Sequence, residues 1–414
     1  MNNDRFRAAA IAVALCLALA LGSPLAAGEG ADWPQFRGVH RDGTSPETGL
    51  AAPWPESGPK ELWRVPIGEG YSAVSVVGDR LYTMYAGDLD GEAAEFAAAF
   101  DAATGKELWK TKVGAKYDTE FGNGPRATPT VVGDSVYVLG SYGDLAALAA
   151  ADGAVRWSLN LSETFGGKQP GWGYSTSPVV EGDLVILESG GPEGKSYAGV
   201  ETGSGEVVWT SGEGSAGYNS ALPITVGDAT RLVYVAGGKL RSIDADGKEH
   251  WSMDWPPGET HAMPVFVPPD RVYASGAEGI GAKLVQFSDS TDGGSVETIW
   301  ETRFMRNHFS SSVYHDGLIF GFDNATLKAI RAEDGSMAWA KRGLGKGALI
   351  LADGNLIVLS DRGELLLVEA NGEEYRERGR VQALEGKCWT APSLAHGKLY
   401  LRNHETMVAY DLAN

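Results

Sequence analysis

The feature that most constrains this chain is a tryptophan that returns at intervals of roughly 36 to 52 residues: Trp63, Trp109, Trp157, Trp209, Trp251, Trp300 and Trp339, with Tyr375 at the corresponding place of a degenerate copy. Each aromatic closes a block of the same composition. The clearest copy runs from Thr128-Pro129-Thr130-Val131-Val132-Gly133-Asp134 through Val136-Tyr137-Val138 to Asp152-Gly153-Ala154-Val155-Arg156-Trp157. Ser177-Pro178-Val179-Val180 leads likewise to Trp209, and Leu222-Pro223-Ile224-Thr225 to Trp251. Within a block, apolar and polar residues alternate over short runs that break at Gly, Asp or Asn, the pattern of half-buried strands joined by hairpins. Gly-Asp and Asp-Gly turns supply positive φ at low cost. The period suits four strands per unit, the spacing of propeller blades.

The two ends complete the count. The last block, Ala391-Pro392 to Leu412, stops before any tryptophan strand, whereas Lys60-Glu61-Leu62-Trp63-Arg64 is a tryptophan strand with no strands ahead of it. Joined, they make one blade and remove the open sheet edges that invite aggregation. The expectation is therefore an all-β, eight-bladed propeller of four-stranded antiparallel blades over residues 58–414, closed by the N-terminal strand on the C-terminal blade. The 56 glycines among 414 residues fit many tight turns. A net charge of −19 disfavours nucleic acid and anionic lipid as partners and favours a soluble monomer.

Arg5 and Arg7 precede an apolar run from Ala8 to Leu21 and a small-residue stretch, Leu25-Ala26-Ala27-Gly28. That is the layout of a secretory signal peptide over residues 1–27, so an exported protein, periplasmic or extracellular, is expected. Cys16 follows Leu15, without the small residue that a lipoprotein cleavage box needs, and no lipid anchor is expected. No later run approaches the roughly 18–20 apolar residues of a membrane span. After cleavage Cys388 is the one remaining cysteine. Residues 28–57 read as an extended arm. Its Trp33 and Phe36 are suited to burial against the propeller, and its arginines to fixing its course.

Ala99-Phe100-Asp101-Ala102-Ala103-Thr104-Gly105-Lys106-Glu107-Leu108-Trp109 resembles the tryptophan-docking motif of the PQQ (pyrroloquinoline quinone) repeat superfamily. There each indole packs on the neighbouring blade and staples sheet to sheet. Trp33-Pro34-Gln35-Phe36-Arg37-Gly38 with Arg41-Asp42-Gly43-Thr44-Ser45 resembles the opening of extracytoplasmic PQQ-like repeat proteins. The resemblance implies one of two functions, a quinoprotein alcohol dehydrogenase or a scaffold of the outer-membrane β-barrel assembly machinery, and fold alone does not choose. The enzymes clamp PQQ against a ring of two adjacent cysteines and hold calcium with carboxylates and an amide; this chain has no Cys-Cys pair. Calcium needs roughly six to eight oxygens, and the acidic stretches Asp88-Leu89-Asp90-Gly91-Glu92 and Asp289-Ser290-Thr291-Asp292-Gly293 read as solvated hairpin tips. The seven histidines show no metal-ligand spacing. No catalytic residue, metal or cofactor is expected; PQQ with calcium belongs to the enzyme alternative.

Residues preceding the innermost strand of each blade crowd the central channel. The positions read here are Tyr71, Arg126, Tyr174, Asn219, His261, His308, Lys346 and Trp389. Aromatic and polar groups at one ring position make a candidate binding mouth, and its four basic members suit an anionic ligand or acidic peptide. The expected function is a non-enzymatic binding or scaffold module that holds another envelope protein or a small ligand at the channel face.

Overall fold

The computed structural model describes residues 31–413 apart from 90, 278 and 290–292. The expected signal peptide lies outside the described residues. The chain forms eight antiparallel sheets of four strands each, one of which gains a fifth, short strand. Blade one consists of Ser75–Val77, Arg80–Leu89, Glu92–Asp101 and Glu107–Ala115, and the pattern repeats through blade seven. In blade eight, Ser393–Ala395, Lys398–Arg402 and Thr406–Asp411 take their outermost strand, Lys60–Pro66, from the other end of the chain, with Trp63 opposite Ala409. The ring is closed as the unmatched ends of the sequence required.

Burial grades outward through each blade. The middle strands, such as Ser135–Leu139, are buried on both faces, whereas outermost strands such as Glu107–Ala115 alternate between exposed and half-buried residues. The docking indoles sit on these outer strands and reach the next blade. A Cβ at Gly105, Gly153, Gly205, Gly247 or Gly335 would come within 2.8 Å of the ring of Trp63, Trp109, Trp157, Trp209 or Trp300 respectively. Glycine is therefore needed at each of these turns by the indole as well as by its positive φ. Indole N–H groups of Trp63, Trp109, Trp157, Trp300 and Trp339 donate to carbonyls of Ala102, Ala150, Thr202, Ala332 and Asn371 in those neighbouring turns. Trp251 instead stacks on Phe287 of blade five at 5.5 Å.

Two expectations need correction. Tyr375 is not the docking aromatic of blade seven. Register places Gly379 there, opposite Leu367 just before the bulge, as Trp109 lies opposite Ala99. Tyr375 lies outside that strand and turns edge-on to Trp339 of blade six. Trp54 of the arm covers Gly379 instead: a Cβ there would lie 2.6 Å from it, and its backbone N–H donates to Arg378. Nor is Asp289 a solvated hairpin tip. Its buried carboxylate accepts from Arg231 Nε at 2.6 Å and meets His250 Nδ1 at 2.9 Å, tying blade five to blade four.

The arm occupies the channel. It enters where Asp32 accepts from Gly78 N–H and meets His396, both in hairpins that leave innermost strands. Trp33 exchanges backbone hydrogen bonds with Val76 of blade one, and Pro34 accepts from Val131 of blade two. After a turn, Thr44–Ser45 run parallel to Leu351 and Ala352 of blade seven as its fifth strand. The arm leaves by the same face, where Glu47 accepts from Gly397 N–H and Leu50 bridges Ala413. At the turn, Arg41 donates to the carbonyls of Ser177, Pro178 and Ala221, and Arg37 to those of Ser311 and Ser312. These carbonyls are at the inner edges of blades three, four and six, so two arginines hold the tip against three blades.

Candidate functional site

Above the arm's turn the channel opens into a cavity of about 410 Å³. Phe36 and Arg37 form its floor, and the loops leading into the innermost strands form its walls. The backbone register shows which side chain each blade presents. In blade two, Val132 closes the hairpin opposite Ser135, and Arg126 lies six residues before it. The same offset selects Tyr71, Ser175, Ser220, His261, Phe309, Lys346 and Trp389 in the other blades, and all eight line the cavity.

Five of the sequence-derived positions, Tyr71, Arg126, His261, Lys346 and Trp389, are therefore ring members. His308 sits one residue before the ring position and still lines the cavity. Tyr174 and Asn219 do not reach it. Both are one residue out of step with Ser175 and Ser220, and in extended chain a slip of one turns a side chain to the opposite face. Tyr174 is buried near Ser162 and Ser189, while Asn219 donates to the Val235 carbonyl and accepts from the Val235 N–H. Sequence reading missed Ser175, Ser220 and Phe309, which the offset from the Val-Gly-Asp turn would have found. It also missed Phe121, Trp172 and Tyr218, which no repeat position marks.

The aromatics make a collar. Tyr71 stacks on Trp389 at 6.0 Å, Trp389 meets Phe309 at 4.7 Å, and Phe309 meets His308 at 5.4 Å. His308 continues to His261 at 5.5 Å, His261 to Trp172 at 5.3 Å, and Trp172 to Phe121 at 6.0 Å. The hydroxyl of Tyr71 donates to the Phe121 carbonyl and closes the circuit. Cations cover one half. The Arg126 guanidinium lies 4.7 Å from the Tyr117 ring and 5.6 Å from Tyr71, and the Lys387 ammonium lies 4.4 Å from Trp389. Around the ring, Lys346, Trp389, Tyr71 and Arg126 thus form a cation–aromatic–aromatic–cation wall. Ser175, Ser220, His261 and Phe309 face it.

The electrostatics of the mouth are one-sided. Among the described residues no carboxylate lies within ion-pair distance of Arg37, Arg126 or Lys346. Among the described residues Glu259 is the one acid lining the cavity, and it faces His308 Nε2 at 3.7 Å. Burial, then His308 and Lys346, lowers the His261 pKa to about 4, so its ring is neutral at pH 7. Among the described residues neither ring nitrogen of His261 has a hydrogen-bond partner. Cys388, next to Trp389, is buried, and burial pushes its thiol up to about 11, which disfavours the nucleophilic thiolate at pH 7.

Blade count, docking indoles and ring closure define a PQQ-like repeat β-propeller with a plugged channel and one open mouth. A family model described as outer membrane protein assembly factor BamB matches residues 93–341, more than half of the chain, and the chain belongs to that family. It is 25% identical over 300 residues, 68% of each chain, to the outer membrane protein assembly factor BamB of Burkholderia pseudomallei (strain K96243). Among similar solved structures, BamB from Moraxella catarrhalis superposes with a TM-score of 0.58 at 15% identity, over 85% of this chain and 97% of that one. The quinohemoprotein alcohol dehydrogenase ADHIIG from Pseudomonas putida HK5 superposes with a TM-score of 0.63 at 13% identity, over 92% and 80%. At these identities the structural likeness speaks for the fold alone. Among the described residues no helix is long and apolar enough to cross a membrane.

Proposed function

We propose that this chain is an exported, non-enzymatic binding module that holds another envelope protein at the mouth of its channel. The observation that carries the reading is the mouth itself: an aromatic collar in which, among the described residues, neither Arg126 nor Lys346 forms an ion pair, in a chain of net charge −19. Membership of a family described as an assembly factor of the outer membrane supports a scaffold over a catalyst. Export is supported by the basic, apolar and small-residue order of residues 5–28.

The oxidoreductase alternative asks the same mouth to hold PQQ and calcium, and the residues present do not fit that pair. A calcium seat needs several converging oxygens, yet among the described residues no three His, Cys, Asp or Glu side chains cluster as metal ligands. The one described cysteine, Cys388, has no neighbour with which to form a disulfide ring. Purified protein titrated with micromolar PQQ and calcium is therefore expected to leave the free cofactor's absorbance unchanged and to reduce no dye with alcohols. Immobilised protein is expected to retain a protein from envelope extract, and the variant Lys346→Glu with Arg126→Gln to release it. Stoichiometric PQQ uptake, or retention untouched by the double variant, would overturn this reading.

A further inference from the structure

We propose that the occupant of the mouth is an extended peptide segment carrying a carboxylate beside an aromatic side chain. This rests on the reading that the mouth is the binding site, and it names what that site selects.

The anion follows from the charges. Arg37 is 3% exposed at the cavity floor, and its Nε has no partner. Its other donors reach only main-chain carbonyls, those of Asp42, Ser311 and Ser312. A buried guanidinium without a carboxylate in contact is costly, and evolution ordinarily matches it with an acid. Acids are plentiful here, 54 against 35 bases, yet among the described residues none forms an ion pair with Arg37, Arg126 or Lys346, and Asp42 and Glu95 act on Arg37 and Arg126 only from beyond that distance. A carboxylate brought by a ligand onto the wall between Lys346 and Arg126, above Arg37, completes the set. Carboxylates suit this wall because guanidinium offers a planar fork and ammonium a point charge.

The aromatic neighbour follows from the collar and from His261. Trp389, Tyr71, Phe309 and Trp172 present ring faces and edges to a volume within the usual range for ligand pockets. On the opposite wall, the unpartnered nitrogens of His261 can accept from, or donate to, a peptide group lying between the aromatic and the acid.

A peptide, and not a free aryl acid, follows from the surface outside the rim. Phe121 is 46% exposed, and Tyr142 is 40% exposed where it packs edge-on against Tyr117, the ring that carries Arg126. This apolar track leads out of the cavity over blades one and two, beyond the reach of a single ring. A chain that continues from the cavity covers it.

The test is a library of N-acetylated random hexapeptides, free or amidated at the C-terminus, passed over immobilised full-length protein and read by mass spectrometry. Expected is enrichment of sequences with Asp, Glu or a terminal carboxylate next to Phe, Tyr or Trp. Affinity of an enriched peptide should fall at least tenfold in Arg126→Gln with Lys346→Gln, and several-fold in Tyr142→Ser, on the outer track. No enrichment, or the same selection by the double variant, overturns the proposal. N-acetylphenylalanine binding as tightly as the enriched peptides would assign the site to a free aryl acid and overturn the peptide. If envelope-protein capture is lost on Lys346→Glu while the library shows no enrichment, the binding function stands and this ligand class falls.

Discussion

Replacing Arg41 with methionine is expected to lower the stability of the propeller by about 3–6 kcal/mol, read as a lower denaturant midpoint at unchanged m-value. Arg41 is fully buried and spreads three donors over the carbonyls of Ser177, Pro178 and Ala221, with a fourth bond to the Gln35 side chain. Methionine keeps most of the volume but leaves three main-chain acceptors without their donor in the buried channel. Each unsatisfied acceptor costs about 1–3 kcal/mol. Lysine in the same place retains charge but lacks the fork that bridges two blades, so Arg41→Lys should recover only part of the loss. The contrast is Arg64, whose ion pair with Glu61 at 2.6 Å is about 40% exposed at both ends. Exposed pairs contribute about 0–1 kcal/mol, and Glu61→Gln should sit within that range. An Arg41→Met protein as stable as the parent would mean that the arm is not anchored by this side chain.

The second large effect is expected from Trp54. Truncation to alanine should cost about 3–5 kcal/mol, the usual loss for a buried aromatic, because Trp54 fills the docking place that blade seven leaves empty at Gly379. Its neighbours in the buried cluster belong to blades seven, eight and one, where the ring is closed. Tyr375→Ala should cost about 1 kcal/mol, since that side chain is half-buried, meeting Trp339 and Lys341 at the rim of blade six and donating its hydroxyl to the partly exposed Glu377. Equilibrium unfolding of the two variants side by side checks this. A larger loss at Tyr375 than at Trp54 would restore Tyr375 to the docking role.

The fold was legible because its signals are local and repeated. In blades one, two, four and six an Asp-Gly or Thr-Gly turn ends four residues before the tryptophan and sits with it in one hairpin, so these copies report the same geometry, and the unpaired ends at Lys60 and Tyr410 announce their partnership. The mouth was half legible. A position before the innermost strand has no fixed origin in the sequence, and a slip of one residue exchanges Ser175 for Tyr174 and Ser220 for Asn219. The hairpin pair that closes each innermost strand is fixed by sheet geometry, so it is the sounder origin for the count. The floor was legible in part: the arm's aromatics and arginines pointed to burial against the propeller, but not to the place where Phe36 and Arg37 come to rest. Phe36 and Arg37 owe their position to main-chain carbonyls of distant blades, which carry no side-chain identity. Trp54 was invisible for a related reason: the chain supplies a missing repeat aromatic from outside the repeat.

The central claim, that partners are held at the collared mouth and not at the plugged face, is tested most directly by site-specific photo-crosslinking. A photoreactive aromatic placed at Phe121, on the rim, or at Val132, exposed where the innermost strand of blade two leaves the channel, reports one face each. In envelope extract, a discrete adduct from position 121 and none from position 132 is the predicted result. An adduct from position 132 with none from position 121 would contradict it.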